Sequence, residues 1–288
     1  MFQRFLGFIY LSAVSQLVSL TGTEAECPVQ LNPQRAFVRY RGSVAVNCST
    51  SVSHKGIGWE ASEGAVPKTS NSLITWRVSH LTEWDIKPFC YINHKKQCQV
   101  ELPITVYKTP DSVSISFVNH RGPMIEEQQY ELQCDVHDVA PVQNLTVKWY
   151  KEQTLLNQTN FTEDSRTPVN VNTTLLIRPD RADDGAQYWC EAELDLGAEG
   201  PQPPPKETSG LVELYYKPKH SSSTEFNIIQ KDEVKLTLNC TVKANPAPTY
   251  TWHSDHLKEE ISSSVLQSST LKHIPYQWLE YSKQRLAV

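Results

Sequence analysis

The chain has 288 residues, with 27 lysines and arginines against 32 aspartates and glutamates, a formal charge of −5. That mild acidity offers no basic footprint for nucleic acid. Among its seven cysteines there is no C-x-x-C pair, so a zinc or thioredoxin-type site has no support.

Met1 to Leu20 carries one early charge, Arg4, and then an apolar run from Phe5 to Val18 interrupted by Ser12, Ser15 and Gln16. Such a run is too short to cross a bilayer. Followed by the small-residue stretch Thr23-Glu24-Ala25, it reads as a signal peptide over residues 1–25. Export makes the cysteines candidates for disulfides. It also suits the N-x-[ST] sequons at Asn47, Asn144, Asn157, Asn160, Asn172 and Asn239, which predict a glycoprotein. About 263 residues remain after the leader, enough for two to three domains.

Apolar residues recur in short runs, as in Val44-Ala45-Val46, and alternate with polar ones in Leu145-Thr146-Val147-Lys148-Trp149 and in Val234-Lys235-Leu236-Thr237-Leu238. A period of two means strands with one buried face. No segment carries a long amphipathic helical period, so the class is all-β.

The first domain is expected over residues 26–108. Cys48 and Cys90 are close enough in sequence for a compact sandwich with few strands, and Cys27 and Cys98 are left over. The economical pairing is Cys48 with Cys90 and Cys27 with Cys98. Four cysteines allow three connectivities, and the sequence leaves the others open. Each such loop contributes about 4 kcal/mol in the chain-entropy account. Between the middle cysteines, Gly56-Ile57-Gly58-Trp59-Glu60-Ala61-Ser62 ends a strand on an acidic residue, with Glu63 beside Gly64 in an expected turn.

The second domain is expected over residues 109–217. Cys134 closes the strand Tyr130-Glu131-Leu132-Gln133, Trp149 follows, and Asp184-Gly185-Ala186-Gln187-Tyr188-Trp189-Cys190 supplies D-x-G-x-Y-x-C. This resembles an immunoglobulin domain. The resemblance implies that Cys134 and Cys190 staple two sheets, that Trp149 packs on the bridge, and that Tyr188 makes a corner hydrogen bond. It also suggests an ion pair between Asp184 and Arg178 or Arg181. In the first domain Pro88 stands where the corner tyrosine would be.

Residues 218–288 read as a partial third immunoglobulin domain. Cys240 and Trp252 flank Ala244-Asn245-Pro246-Ala247-Pro248, and Ser262 to Leu271 continues as a later strand, but Lys272 to Val288 lacks the closing motif. Cys240 is then unpaired, or joined between chains in a covalent dimer. His253, Asp255 and His256 lack a fourth ligand and read as solvated surface. No membrane span follows in this chain.

Cys27-Pro28, Asn47-Cys48-Ser49-Thr50, the Gly-Trp-Glu strand end, Ile104 to Pro110, and Glu191-Ala192-Glu193-Leu194-Asp195-Leu196 together resemble the intercellular adhesion molecule family, over roughly residues 27 to 217. The resemblance implies tandem immunoglobulin-like sandwiches, the third incomplete, in a cell-surface or secreted adhesion protein that binds leukocyte integrins. It assigns the integrin contact to Glu60, whose carboxylate would complete the octahedral shell of an integrin-held Mg²⁺. It implies no cofactor and no metal of the chain's own. Two departures stand out: Val52 replaces the usual second cysteine of the second strand, and Trp59 precedes the glutamate in place of an aliphatic residue. The alternative is an immune recognition module that binds another protein through a sheet face. An enzyme is not expected, since no H-E-x-x-H, G-x-S-x-G or P-loop occurs.

Overall fold

In the computed structural model, residues 27–219, 237–252 and 262–267 are described. The chain divides into two compact units, residues 1–105 and 106–288. Described residues form strands and two short 3-10 turns, as the alternation predicts.

The first unit holds β1 (Gln30–Asn32), β2 (Ala36–Arg39), β3 (Val44–Ser49), β4 (Ile57–Glu60), β5 (Val66–Thr69), β6 (Leu73–Val78), β7 (Phe89–Asn93) and β8 (Gln97–Glu101), while β9 (Ile104–Tyr107) runs across the unit boundary. One sheet is ordered β1-β3-β6 and the other β5-β4-β7-β8. Their inner faces are filled by Val46, Cys48, Ile57, Trp59, Trp76, Cys90 and Ile92, each at most 1% exposed. Burying such side chains stabilises the unit by roughly 1.5–3 kcal/mol apiece.

Bridges join Cys48 to Cys90 and Cys27 to Cys98, with Cα–Cα distances of 6.4 and 5.7 Å. Pro88, at the corner position, is buried, and its carbonyl accepts the Leu102 N–H at 2.9 Å. A main-chain bond thus ties the link between β8 and β9 to this corner.

The second unit holds β10 (Ser112–Phe117), β11 (Met124–Ile125), β12 (Tyr130–Val139), β13 (Leu145–Lys151), β14 (Thr154–Asn160), β15 (Val169–Ile177), β16 (Gln187–Leu194), β17 (Lys206–Leu211) and β18 (Leu214–Tyr215). Sheets β10-β12-β15 and β14-β13-β16-β17 are stapled by Cys134–Cys190. Trp149 is fully buried opposite Cys190 and donates its indole N–H to Thr173 Oγ1 at 2.9 Å. That bond satisfies the donor which burying an indole would otherwise leave unpaired.

Several expectations need correction. Asp184 pairs with neither Arg178 nor Arg181: its Oδ1 accepts the Leu214 N–H at 3.0 Å. Arg181 instead grips Glu126 in a two-pronged pair at 2.9 and 3.0 Å. The buried carboxylate of this turn is Asp183, which receives Lys151 and closes a capping box with Asp180. Tyr188 is buried, but its neighbours are Lys151 and Asp183 rather than a corner main-chain acceptor. Burial, then the Asp183 charge, pushes its hydroxyl pKa up.

Beyond residue 236, β19 (Thr237–Asn239) pairs antiparallel with β20 (Val265–Gln267), and Trp252 donates to the Ser263 carbonyl at 2.6 Å. Asn245 joins this piece to the second unit's strands, since its amide donates to the Leu214 carbonyl at 2.9 Å and its backbone bridges Tyr216. Cys240 is unpaired and half-buried, and burial raises its thiol pKa. His253, Asp255, His256 and the tail from Lys272 lie outside the described residues, as does the expected signal peptide. Among described residues no helix is long and apolar enough to cross a membrane.

Candidate functional site on the first unit

β4 is a four-residue strand whose alternation decides where Glu60 points. Trp59 faces inward at 1% exposure, paired with Cys90, while Glu60 is exposed and paired with Phe89. In a strand, one buried side chain fixes the direction of the next. Trp59 therefore does for this unit what Trp149 does for the second, since both sit opposite the second cysteine of a bridge. Along the sequence Trp59 stands out as a departure from the family, and this role is not apparent there. The signal was available, because Cys48, Cys134 and Cys240 are each followed by a tryptophan at a similar interval. Trp59 packs against Trp76 with ring centroids 6.1 Å apart, and its indole N–H is buried without a partner among described residues.

The register places Glu60 in one row with Phe89 and Glu101, and Gly58 in the next outward-facing row with Tyr91 and Gln99. A Cβ at position 58 would lie 2.5 Å from the Tyr91 hydroxyl. Only glycine lets that ring lie across the strand beside the glutamate.

The turn after Glu60 is pinned. Trp76 donates its indole N–H to the Glu63 carbonyl at 2.9 Å, and the Ser62 hydroxyl donates to Glu83. The Glu63 carboxylate accepts from the Thr82 N–H at 3.1 Å and from Thr82 Oγ1 at 2.8 Å. The two acids thus differ sharply: Glu63 is engaged, whereas the Glu60 carboxylate meets no hydrogen-bond or ion-pair partner among described residues. Glu60 also stands at the far end of β4 from the Cys27–Cys98 bridge. Cys98 is in register with Ile92 and Ile57, three residues or about 10 Å up the strand. The unusual bridge therefore braces the opposite end of the sheet.

Among described residues no group of three or more His, Cys, Asp and Glu could hold a metal ion. Of the sequons, Asn157, Asn160 and Asn172 lie exposed on β14 and β15. Asn47 accepts from Thr75 Oγ1 at 2.7 Å, Asn144 donates to the Asp195 carbonyl at 2.6 Å, and Asn239 accepts from Thr241 Oγ1 at 2.6 Å.

The fold is that of solved tandem ectodomains. A fragment of ICAM-5, domains D1–D4, superposes with a TM-score of 0.51 at 21% identity over 79% of this chain and 62% of that one. The mouse nectin-like molecule 4 ectodomain (Ig1–Ig3) superposes with a TM-score of 0.53 at 19% identity over 82% of this chain and 88% of that one. Two stapled sandwiches, each with a tryptophan on its staple, have the immunoglobulin-type fold. Residues 24–112 match the family described as intercellular adhesion molecule (ICAM), N-terminal domain. Intercellular adhesion molecule 1 of Homo sapiens is 31% identical over 177 residues, which is 59% of this chain and 31% of that protein. Intercellular adhesion molecule 5 of Oryctolagus cuniculus is 29% identical over 200 residues, 68% of this chain and 20% of that protein. Over residues 24–112, then, the chain is similar to the N-terminal domain of intercellular adhesion molecules, and it spans about a third of the length of the human relative.

Proposed function

We propose that this chain is an adhesion ligand that binds leukocyte-type integrins through Glu60, with its first domain over residues 26–108, a second over 109–217 and a partial third over 218–288. The observation that carries this reading is the state of the Glu60 carboxylate, exposed and unpartnered beside a buried Trp59 on a strand hydrogen-bonded on both sides. A hard cation such as Mg²⁺ takes a carboxylate oxygen at about 2.0–2.1 Å in a near-ideal octahedron. A carboxylate already bonded to its own chain, as at Glu63, must first give up those bonds. One held on a fixed strand loses little ordering entropy on binding. The protein acts at the cell surface or in secreted form, carries glycans at its sequons, and can form a covalent dimer through Cys240.

The test is adhesion of integrin-bearing leukocytes to the immobilised protein in Mg²⁺. Glu60→Gln keeps the shape and removes the charge, so binding falls by at least about 2 kcal/mol, some thirtyfold, at unchanged melting temperature. Normal adhesion of that variant, still blocked by EDTA, would move the contact to another acid.

A second reading rests on the outer face of the second unit, where Tyr150 and Trp189 stack at 4.1 Å. Such a platform suits recognition of another protein by a sheet face. Binding that ignores EDTA and is lost with Trp189→Ala would favour it.

A further inference from the structure

Opposite Glu60, the other end of the first unit gathers positive charge that the net charge of the chain conceals. Four segments meet there. The Lys55 N–H donates to the Asn93 carbonyl at 2.7 Å, and the Asn93 N–H to the Gly56 carbonyl at 2.8 Å. His94 Nδ1 donates to the Ser53 carbonyl at 2.6 Å. The Thr50 N–H donates to the Ser72 carbonyl at 2.9 Å, and Thr50 Oγ1 to the Pro28 carbonyl at 2.6 Å. The Cys27–Cys98 bridge closes the same end. Gly56, at φ +150°, draws in a further cation: a Cβ there would lie 2.3 Å from Lys68 Cγ, so the Lys68 stem crosses the glycine.

These segments bring together Lys55, Lys68, Lys95 and Lys96, all exposed, with the half-buried His54 and His94, and residues 27–32, 49–57, 67–73 and 92–99 contain no aspartate or glutamate. None of the four lysines is in an ion pair among described residues. Unneutralised like charges held on a braced backbone repel one another, a cost that a polyanion recovers.

We propose that this end of the first unit binds a polysulfated glycan chain. Over residues 50–56 and 93–97, which carry three of the four lysines, the single apolar side chain, Val52, is half-buried, and Leu73 is the large apolar side chain exposed in the neighbouring segment 67–73, which leaves little to grip a peptide's side chains. No Phe, Tyr or Trp stands in those segments to stack a nucleic-acid base. The cations are lysines, point charges without the planar fork that arginine offers to carboxylate or phosphate. Hydroxyls of Ser49, Thr50 and Ser51 line an adjoining groove, supplying hydrogen bonds of the kind a sugar accepts and donates. A linear chain of sulfates matches charge of this kind through release of its condensed counterions.

The full chain is passed over immobilised heparin, with hyaluronan (carboxylated, unsulfated) and poly-glutamate as comparison matrices. Heparin retains the protein, with log affinity falling against log salt at a slope of about 3, and each lysine removed lowers that slope by about 1. The triple variant Lys55→Gln, Lys95→Gln, Lys96→Gln loses at least about tenfold in affinity at unchanged melting temperature, while Lys217→Gln elutes with the parent. Co-elution of the triple variant with the parent overturns the proposal, as does equal retention on hyaluronan or poly-glutamate. Because Glu60 lies at the other end of β4, Glu60→Gln leaves heparin retention intact, and the triple variant leaves Mg²⁺-dependent adhesion intact, so this proposal and the integrin reading fail separately.

Discussion

Two carboxylates three residues apart have opposite fates because one of them found a partner. Glu63 accepts from both donors of Thr82, so its charge serves the turn that follows β4. Glu63→Gln is expected to lower stability by about 1 kcal/mol, the worth of one such bond, while leaving adhesion unchanged. Paired chemical denaturation and adhesion assays measure both outcomes. Glu126 gives a second prediction. The Arg181 guanidinium bonded to it, with help from the Arg181 and Lys219 charges and against the pull of burial, holds its carboxyl below the ordinary value of 4.5. The unfolded chain therefore takes up this proton more readily, so the group contributes stability above about pH 4.5 that is lost as pH falls through the lower folded value. Melting temperature should drop more steeply between about pH 5 and pH 3 in the parent than in Glu126→Gln. Equal slopes would mean that the pair does not titrate with folding.

At the scale of strands, each unit hangs from one tryptophan set against one staple. Trp59 opposite Cys90 and Trp149 opposite Cys190 each fix the phase of their strand. A slip of one residue would turn Glu60 into the core and Trp59 into solvent. The Cys27–Cys98 bridge acts elsewhere, on the end where β1 approaches the turn between β7 and β8. Replacing both cysteines with serine should cost about 2–5 kcal/mol and yet, below the melting temperature, leave Glu60-dependent adhesion in place. Loss of adhesion while the domain stays folded would show that the bridge also positions β4. It would also loosen the segments that carry Lys55, Lys95 and Lys96, so heparin retention should suffer first.

For the molecule as a whole, each unit keeps its own core and its own bridges, and no disulfide crosses between them. Opening Cys134–Cys190 by paired substitution to serine should lower the melting transition of the second unit and spare both that of the first and Mg²⁺-dependent adhesion. Calorimetry of the parent and the variant separates the transitions. A concerted loss of both would mean that the units stabilise one another.

Local periodicity is legible in the sequence. Alternating residues gave the all-β class, and Cys134, Trp149 and D-x-G-x-Y-x-C gave the second sandwich, because these signals sit within one strand or at fixed offsets along the chain. Glu60 is singled out by the resemblance to the intercellular adhesion molecule family, and Trp59 beside it reads in the sequence as a departure from that family. What distant contacts decide was not legible. Thr82 lies 19 residues from Glu63, and Glu126 lies 55 from Arg181, so the engagement of Glu63 and the misassigned partner of Asp184 depended on which turns the sheets bring together. The cysteine spacings of the first domain likewise allowed more than one connectivity until folding set Cys27 within 5.7 Å of Cys98, Cα to Cα. The basic end is of the same kind: its lysines come from the loop after β3, from β5 and from the turn between β7 and β8, each unremarkable along the chain, and only strand pairing sums their charges in one place.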